Sequence, residues 1–203
     1  MVKLSLPEGA TPISESSGLK LPWVKTRDQL NEVEAENILN AMTLFFSKRR
    51  NPSRWFTEQG LRNIHREMFC DVWDWAGIYY KGPLRNIGVT YFQIPLQIHE
   101  LCKDVQYWLE EKTDLNVLQQ SARIHFRLAK IHPFHNGNGR HARLVADLYL
   151  ESLHGEVPHW PEKILLENSN ARTEYIESLR KADRGEYSPL EQLIVRYGGK
   201  SPN

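Results

Sequence analysis

The chain has 203 residues, of which 40% are hydrophobic and 25% charged, with a net charge of +1. This is the balance of a soluble globular protein with one sizeable core, or a core and a small appendage. It excludes a disulfide framework, since Cys70 and Cys102 are the only cysteines and read as buried thiols in apolar helical stretches, and it excludes a bilayer span, since no apolar run is long enough.

The near-neutral charge gives no support to a nucleic-acid partner. The opening residues, Met1 to Glu8, hold no sustained apolar run, so the expected location is the cytoplasm. Residues 1 to 25 carry Pro7, Gly9, Pro12, Gly18 and Pro22 among serines and predict an irregular lead-in. Thr26 with Gln29 makes a capping box that opens the first helix. Leu30, Val33, Ala41 and Leu44 follow at helical spacing, with Ile38, Met42 and Phe45 on the adjoining stripe, and Asn51-Pro52 ends the run. A second helix starts near Thr57, with Leu61, Ile64, Met68 and Val72 three or four apart. Trp73, Trp75 and Gly77 close it.

Residues 78 to 94 are the β-like stretch. Tyr79, Tyr80, Ile87, Val89, Thr90, Tyr91, Phe92 and Ile94, punctuated by Gly82, Pro83 and Gly88, predict one hairpin. Pro95 then sits in the first turn of a third helix, with Ile98, Leu101, Val105 and Leu109 inward. Residues 116 to 131 make a fourth and 140 to 153 a fifth, ended by His154-Gly155. Residues 162 to 168 and 170 to 182 are also helical in pattern. Ser188, Pro189 and Glu191 open the last helix with a cap residue, a proline at the first position and an acid at the third. The fold class is therefore all-α, a single domain over 26–203 with one β-hairpin.

Between the fourth and fifth helices lies a stretch rich in chemistry: His132, Pro133, Phe134, His135, Asn136, Gly137, Asn138, Gly139, Arg140, His141, Ala142 and Arg143. The first N–H groups of a helix lack partners within it, and the helix dipole adds positive potential there. Gly137, Asn138 and Gly139 let the backbone curl around an anion. Arg140 and Arg143 share a face one turn in, which suits a di- or triphosphate. His132 stands across the loop, and imidazole titrates low enough to accept a hydroxyl proton at neutral pH. Phe134 alternates with His132 and can point inward to anchor the loop. A lone helix-end histidine is more often a cap, and an arginine pair is more often a solvated face. It is the joint order and spacing that point to a site.

These residues resemble the signature of the Fic/Doc family, His-x-Phe-x-(Asp or Glu)-Gly-Asn-Gly-Arg-x-x-Arg, with one departure at Asn136. Trp75 to Gly77 with Arg85 and the β-like stretch is similar to the family's flap hairpin, and residues 172 to 190 are similar to its C-terminal helices. Residues 9 to 12 and 30 to 32, with the Asn variant of the motif, resemble the mobile mystery protein B subgroup. The resemblance implies a Fic-type helical bundle that transfers AMP from ATP, with Mg²⁺, to a Ser, Thr or Tyr hydroxyl of a target protein, releasing pyrophosphate. It makes His132 the general base. It assigns Phe134, Gly137, Asn138, Gly139, Arg140 and Arg143 to nucleotide binding, with Arg143 toward the γ-phosphate. It makes Asn86, Ile87, Gly88, Val89 and Thr90 a flap that holds the target as an added strand.

Asn136 stands where the family usually has an acid that helps hold Mg²⁺. An amide oxygen can ligate the ion without charge, so weaker metal binding or slower transfer is expected. The family's inhibitory glutamate belongs to a Ser/Thr-x-x-x-Glu-Gly/Asn segment. Glu36-Asn37 has that ending, but Glu32 replaces the hydroxyl residue, and a solvated helix charge is the simpler reading. A separate antitoxin-like partner is the alternative. Three other readings stay open: a non-catalytic nucleotide-binding module, a transferase using another nucleotide donor, and a metal hydrolase built on His125, His132, His135 and His141. The last lacks a His-Glu-x-x-His helix, and His135 and His141 read as exposed. Tyr175 either lines the base pocket or packs.

Overall fold

Capping chemistry sets where the helices begin. In a computed structural model, which describes residues 18–47, 49–83, 85–110, 113–161 and 169–198, α1 (Arg27–Phe46) opens on Thr26, whose hydroxyl accepts from the Gln29 amide while the Gln29 side chain accepts from the Thr26 amide. A short α2 (Pro52–Trp55) follows Asn51, and α3 (Glu58–Phe69) is capped by Thr57. Then come α4 (Ile94–Glu110), α5 (Val117–Ile131) with an Asn116/Gln119 capping box, and α6 (Asn138–Ser152). The last described helices are α7 (Asn170–Ala182), capped by Ser169, and α8 (Ser188–Tyr197), with Pro189 in its first turn.

The antiparallel pair α5–α6 forms the centre, and the most extensive helix contact is between them. Every α6 residue from His141 to Leu150 is buried, as expected for a helix enclosed on all sides. The α1–α3 pair packs on α6, α4 packs on α3 and α5, and the α7–α8 pair packs on α5 through α8. Leu61, Met68, Phe69, Leu101, Ile124, Leu128, Val145 and Tyr149 fill the main core. Phe126, Leu150, Ala182, Leu190 and Ile194 seal the second contact. The loop joining α5 to α6 is thus held between two buried helices, a rigid mount for a site. Among the described residues no helix is long and apolar enough to cross a membrane.

Several expectations need correction. No hairpin forms among the described residues of 78–94. Tyr79 makes an isolated bridge to Phe134, Tyr80 N–H donates to the Pro133 carbonyl, and Val89 N–H donates to the Ile131 carbonyl. The stretch pairs with the α5–α6 loop rather than with itself, because Gly82, Pro83 and Gly88 break it into bends. On α1 the buried face is Leu30, Glu34, Asn37 and Ala41, whereas Leu44 and Met42 are exposed. Helix α3 ends at Phe69, so Val72 is buried from a turn. The lead-in is ordered at its end, where Leu19 bridges to Trp73 and Lys20 N–H donates to the Val72 carbonyl. Cys70 and Cys102 are free thiols, each half-buried. The helix expected over 162 to 168 and the lead-in before 18 lie outside the described residues.

Candidate functional site

Helix α5 ends at His132, which adopts the left-handed conformation (φ 54°, ψ 55°) while its N–H donates to the Leu128 carbonyl. A non-glycine residue there costs about 1–2 kcal/mol, and the surrounding contacts must repay it. The turn lifts the imidazole off the helix axis. His132 Nδ1 lies 3.3 Å from the Ala129 carbonyl. If Nδ1–H donates to that carbonyl, Nε2 carries the basic lone pair. The ring keeps some surface, yet burial pushes its pKa down to about 4; the Ala129 bond opposes the shift and the Arg85 charge adds to it. The imidazole is therefore held in its neutral form at physiological pH.

The loop after His132 is pinned from several directions. The Phe134 ring is fully buried, so this candidate nucleotide contact serves instead as the anchor of the loop. It stacks on His65 with centroids 3.7 Å apart and meets His141 edge-on. The Asn138 side chain brackets the same residue: its Oδ1 accepts from Phe134 N–H at 2.8 Å, and its Nδ2 donates to the Phe134 carbonyl at 2.9 Å. Arg85 Nη1 donates to the carbonyls of Phe134 (2.9 Å) and His135 (3.2 Å). Gly88, at φ 106°, passes so close that a Cβ would come within 2.8 Å of His132 Cβ.

His65 on α3 completes the mount, and it was absent from the sequence-based site. Gly77 N–H donates to its Nδ1 at 2.9 Å, and its Nε2–H donates to the Asn136 carbonyl at 3.0 Å. One neutral tautomer satisfies both bonds. Burial, then the neighbouring His141, holds its pKa well below the usual histidine value. The signal for it was its place beside Leu61, Ile64 and Met68 on the buried face of α3.

Gly137 (φ 73°) starts α6, and a Cβ on it would strike the Phe69 ring at 2.3 Å. A Cβ added at Gly139 would meet Arg143 Nη1 and the Tyr175 hydroxyl at ordinary contact distances of 3.7 and 4.0 Å, with no clash. His141 N–H already donates to the Gly137 carbonyl, so the amides of Asn138, Gly139 and Arg140 are the ones a helix start leaves for an anion. Arg143 is buried between Trp160 and Tyr175. Arg140 lies over Phe69 and donates from Nη1 to Glu34 at 2.9 Å. Asn136 Oδ1 accepts from Gly137 N–H at 2.7 Å, and its second lone pair is what it can offer a hard cation. No group of three His, Cys, Asp or Glu residues able to hold a metal ion occurs among the described residues. The chain thus fits Mg²⁺ only where nucleotide phosphates supply most of the ligands.

The histidines do not converge. His141 is fully buried with Nε2–H donating to the Leu61 carbonyl at 3.0 Å, against the expectation that it is exposed. His125 is buried too and bonds the Tyr175 hydroxyl at 2.9 Å; burial, then the Arg143 charge, lowers its pKa to about 3. Tyr175 is accordingly a packed residue whose hydroxyl faces the nest. His135 is half-buried and stacks on Trp75. Asn86 and Ile87 are exposed, while Gly88, Val89 and Thr90 are half-buried, with Gly88 against His132 and Val89 N–H on the Ile131 carbonyl. Glu36 lies on the exposed face of α1, away from the buried Glu34.

A left-handed histidine at the end of one helix and a glycine-lined start of the next, with two arginines one turn in, thus bracket the loop. The Fic/DOC family model matches residues 55–150 of the chain. It is 30% identical over 109 residues to protein adenylyltransferase fic-1 of Caenorhabditis elegans, covering 53% of this chain and 20% of that protein. It is 29% identical over 143 residues to protein adenylyltransferase Fic of Drosophila mojavensis, covering 70% and 27%. The chain therefore spans about a quarter or less of the length of these relatives. Among solved structures, Fic-1 (residues 134–508) of C. elegans superposes with a TM-score of 0.63 at 22% identity, covering 90% of this chain and 52% of that one. BepC of Bartonella tribocorum, a VirB-translocated effector protein with bound AMPPNP, superposes with a TM-score of 0.66 at 18% identity, covering 98% and 100%. The fold is the Fic helical fold.

Proposed function

We propose that the chain is a protein adenylyltransferase that moves AMP from ATP to a Ser, Thr or Tyr hydroxyl of a target protein. The observation that carries this is the neutral His132 set across a pinned loop from the open start of α6, with Arg140 and Arg143 one turn in. The relatives named as protein adenylyltransferases support it, as does the nucleotide analogue in BepC. The α-phosphate binds over Gly137 to Gly139. The target hydroxyl attacks the α-phosphorus, its proton passes to His132 Nε2, and the bond to the β-phosphate breaks to release pyrophosphate. Arg140 and Arg143 hold the β- and γ-phosphates and stabilise the charge that develops on the leaving group. Asn136 Oδ1 would be the neutral protein ligand of a phosphate-bound Mg²⁺, which would supply further charge neutralisation.

Residues 86–90 pass beside His132 and are suited to guide an extended target segment past the imidazole through main-chain hydrogen bonds. With Glu36 on the outer face of α1, restraint by a separate antitoxin-like partner is the regulation we favour, and the cytoplasm the location. A non-catalytic nucleotide-binding module would have no use for a strained histidine held neutral beside the phosphate site. The test is transfer of radiolabelled AMP to protein by wild type and His132→Ala. Label in the first and none in the second is expected. Equal labelling, or none in wild type with adequate ATP binding, would overturn the proposal, and label from another nucleotide in preference to ATP would reassign the donor.

A further inference from the structure

Glu34 is a carboxylate on the buried face of α1, in line with Leu30, Asn37 and Ala41. It is 3% exposed, and both of its oxygens are engaged. Oε1 accepts from Trp73 Nε1–H at 2.7 Å, and Oε2 accepts from Arg140 Nη1–H at 2.9 Å. Trp73 is itself 2% exposed and stacks on Trp75 at 4.8 Å, so the indole donor has no freedom to follow a moving carboxylate. One turn further along the same face, Asn37 donates to the Glu67 carbonyl and the Asp71 carboxylate and accepts from Asp71 N–H. That clasp ties α1 to the end of α3. Phe69 meanwhile packs against the Arg140 guanidinium, 4.9 Å from its ring centroid.

One nitrogen of the guanidinium, Nη1, is thus bonded and the Phe69 ring lies against the group. A guanidinium is a planar fork, so fixing these leaves its remaining N–H donors with a set direction. A carboxylate that competed with phosphate for Arg140 would need somewhere to go when phosphate arrives. Leaving its place here would strand the Trp73 N–H and move a buried charge, both costly. We infer that Glu34 is a positioning residue: a fixed arm from α1 that aims Arg140 at the phosphates. This rests on the nucleotide-transfer reading of the site. It also gives α1 a part in substrate binding, although α1 precedes the segment that matches the family model.

The test is calorimetric binding of ATP and of pyrophosphate, with Mg²⁺, to the full chain. Glu34→Gln keeps the shape and removes the charge. It is expected to raise the Kd of both ligands together by about tenfold, the scale of one charge-assisted hydrogen bond. Trp73→Phe removes the donor that holds the carboxylate and is expected to weaken both in the same direction by less; it serves if the Glu34 variant does not fold. Because Glu34 acts through Arg140, Glu34→Gln is expected to have no further effect in an Arg140→Gln background. Binding by Glu34→Gln equal to or tighter than wild type overturns the inference, as does an unchanged effect in the Arg140→Gln background. A wild-type chain that binds neither ATP nor pyrophosphate overturns the phosphate site itself and this assignment with it. A chain that binds both in the expected pattern yet transfers nothing leaves the arm standing and removes the transferase reading alone.

Discussion

His132 joins a backbone conformation that few side chains tolerate to a proton affinity far below that of free imidazole. Burial lowers its pKa to about 4 from an ordinary 6.5, so the neutral ring is the folded form over the physiological range. The rate of transfer is therefore expected to stay flat from neutral pH to about 5 and to fall as the pH passes through about 4; a pH–rate profile with a midpoint near 6.5 would contradict it. The stability dependence has the matching sign. Between about 6.5 and 4 the unfolded chain binds a proton that the folded chain does not, so stability is expected to fall as the pH drops through that window. His141, lowered to about 4 chiefly by burial, acts in the same direction. His65 is the other residue on which the loop depends. His65→Phe keeps the stack on Phe134 but leaves Gly77 N–H and the Asn136 carbonyl without their partner. A loss of about 1–3 kcal/mol per orphaned group is expected, read as a lower denaturation midpoint together with weaker ATP binding.

At the scale of elements, the α5–α6 loop is defined by how closely α6 approaches Phe69. Gly137→Ala would place a methyl against that ring and force an alanine to φ 73°. Strain of about 1–3 kcal/mol is expected, with nucleotide binding weakened more than overall stability, since the loop can move and the helices cannot. Thermal melts beside ATP titrations check this; unchanged ATP affinity would mean the loop is not the phosphate site. The starts of α1 and α3 were legible in the sequence because caps are local: Thr26 with Gln29, and Thr57, each act within four residues. At α8 the expected cap Ser188 is instead the first helical residue, after Tyr187, and makes no cap bond. The buried face of α1 was misread because Glu34 and Asn37 look like solvent residues, and only Trp73, Arg140 and Asp71, far along the chain, make them core. The expected hairpin failed for the same reason. Tyr79, Tyr80 and Val89 do sit in extended backbone, but their partners are Phe134, Pro133 and Ile131 rather than one another.

Over the whole molecule, α5 and α6 are the frame and the other helices fix what lies between them. Helix α3 supplies His65 and Phe69, α1 supplies Glu34, the 78–94 stretch supplies Arg85 and Gly88, and α7 supplies Tyr175. The motif residues were legible because they are contiguous. Their mount was not, because it arrives from segments as far as 106 residues away. The central claim is that this assembly transfers a nucleotide to a protein hydroxyl. Intact-mass spectrometry of the chain and of proteins incubated with it, ATP and Mg²⁺ tests that most directly. The expected result is an adduct of one AMP on a Ser, Thr or Tyr residue with wild type and none with His132→Ala; no adduct from wild type with any nucleoside triphosphate, or an adduct that persists without His132, would contradict it.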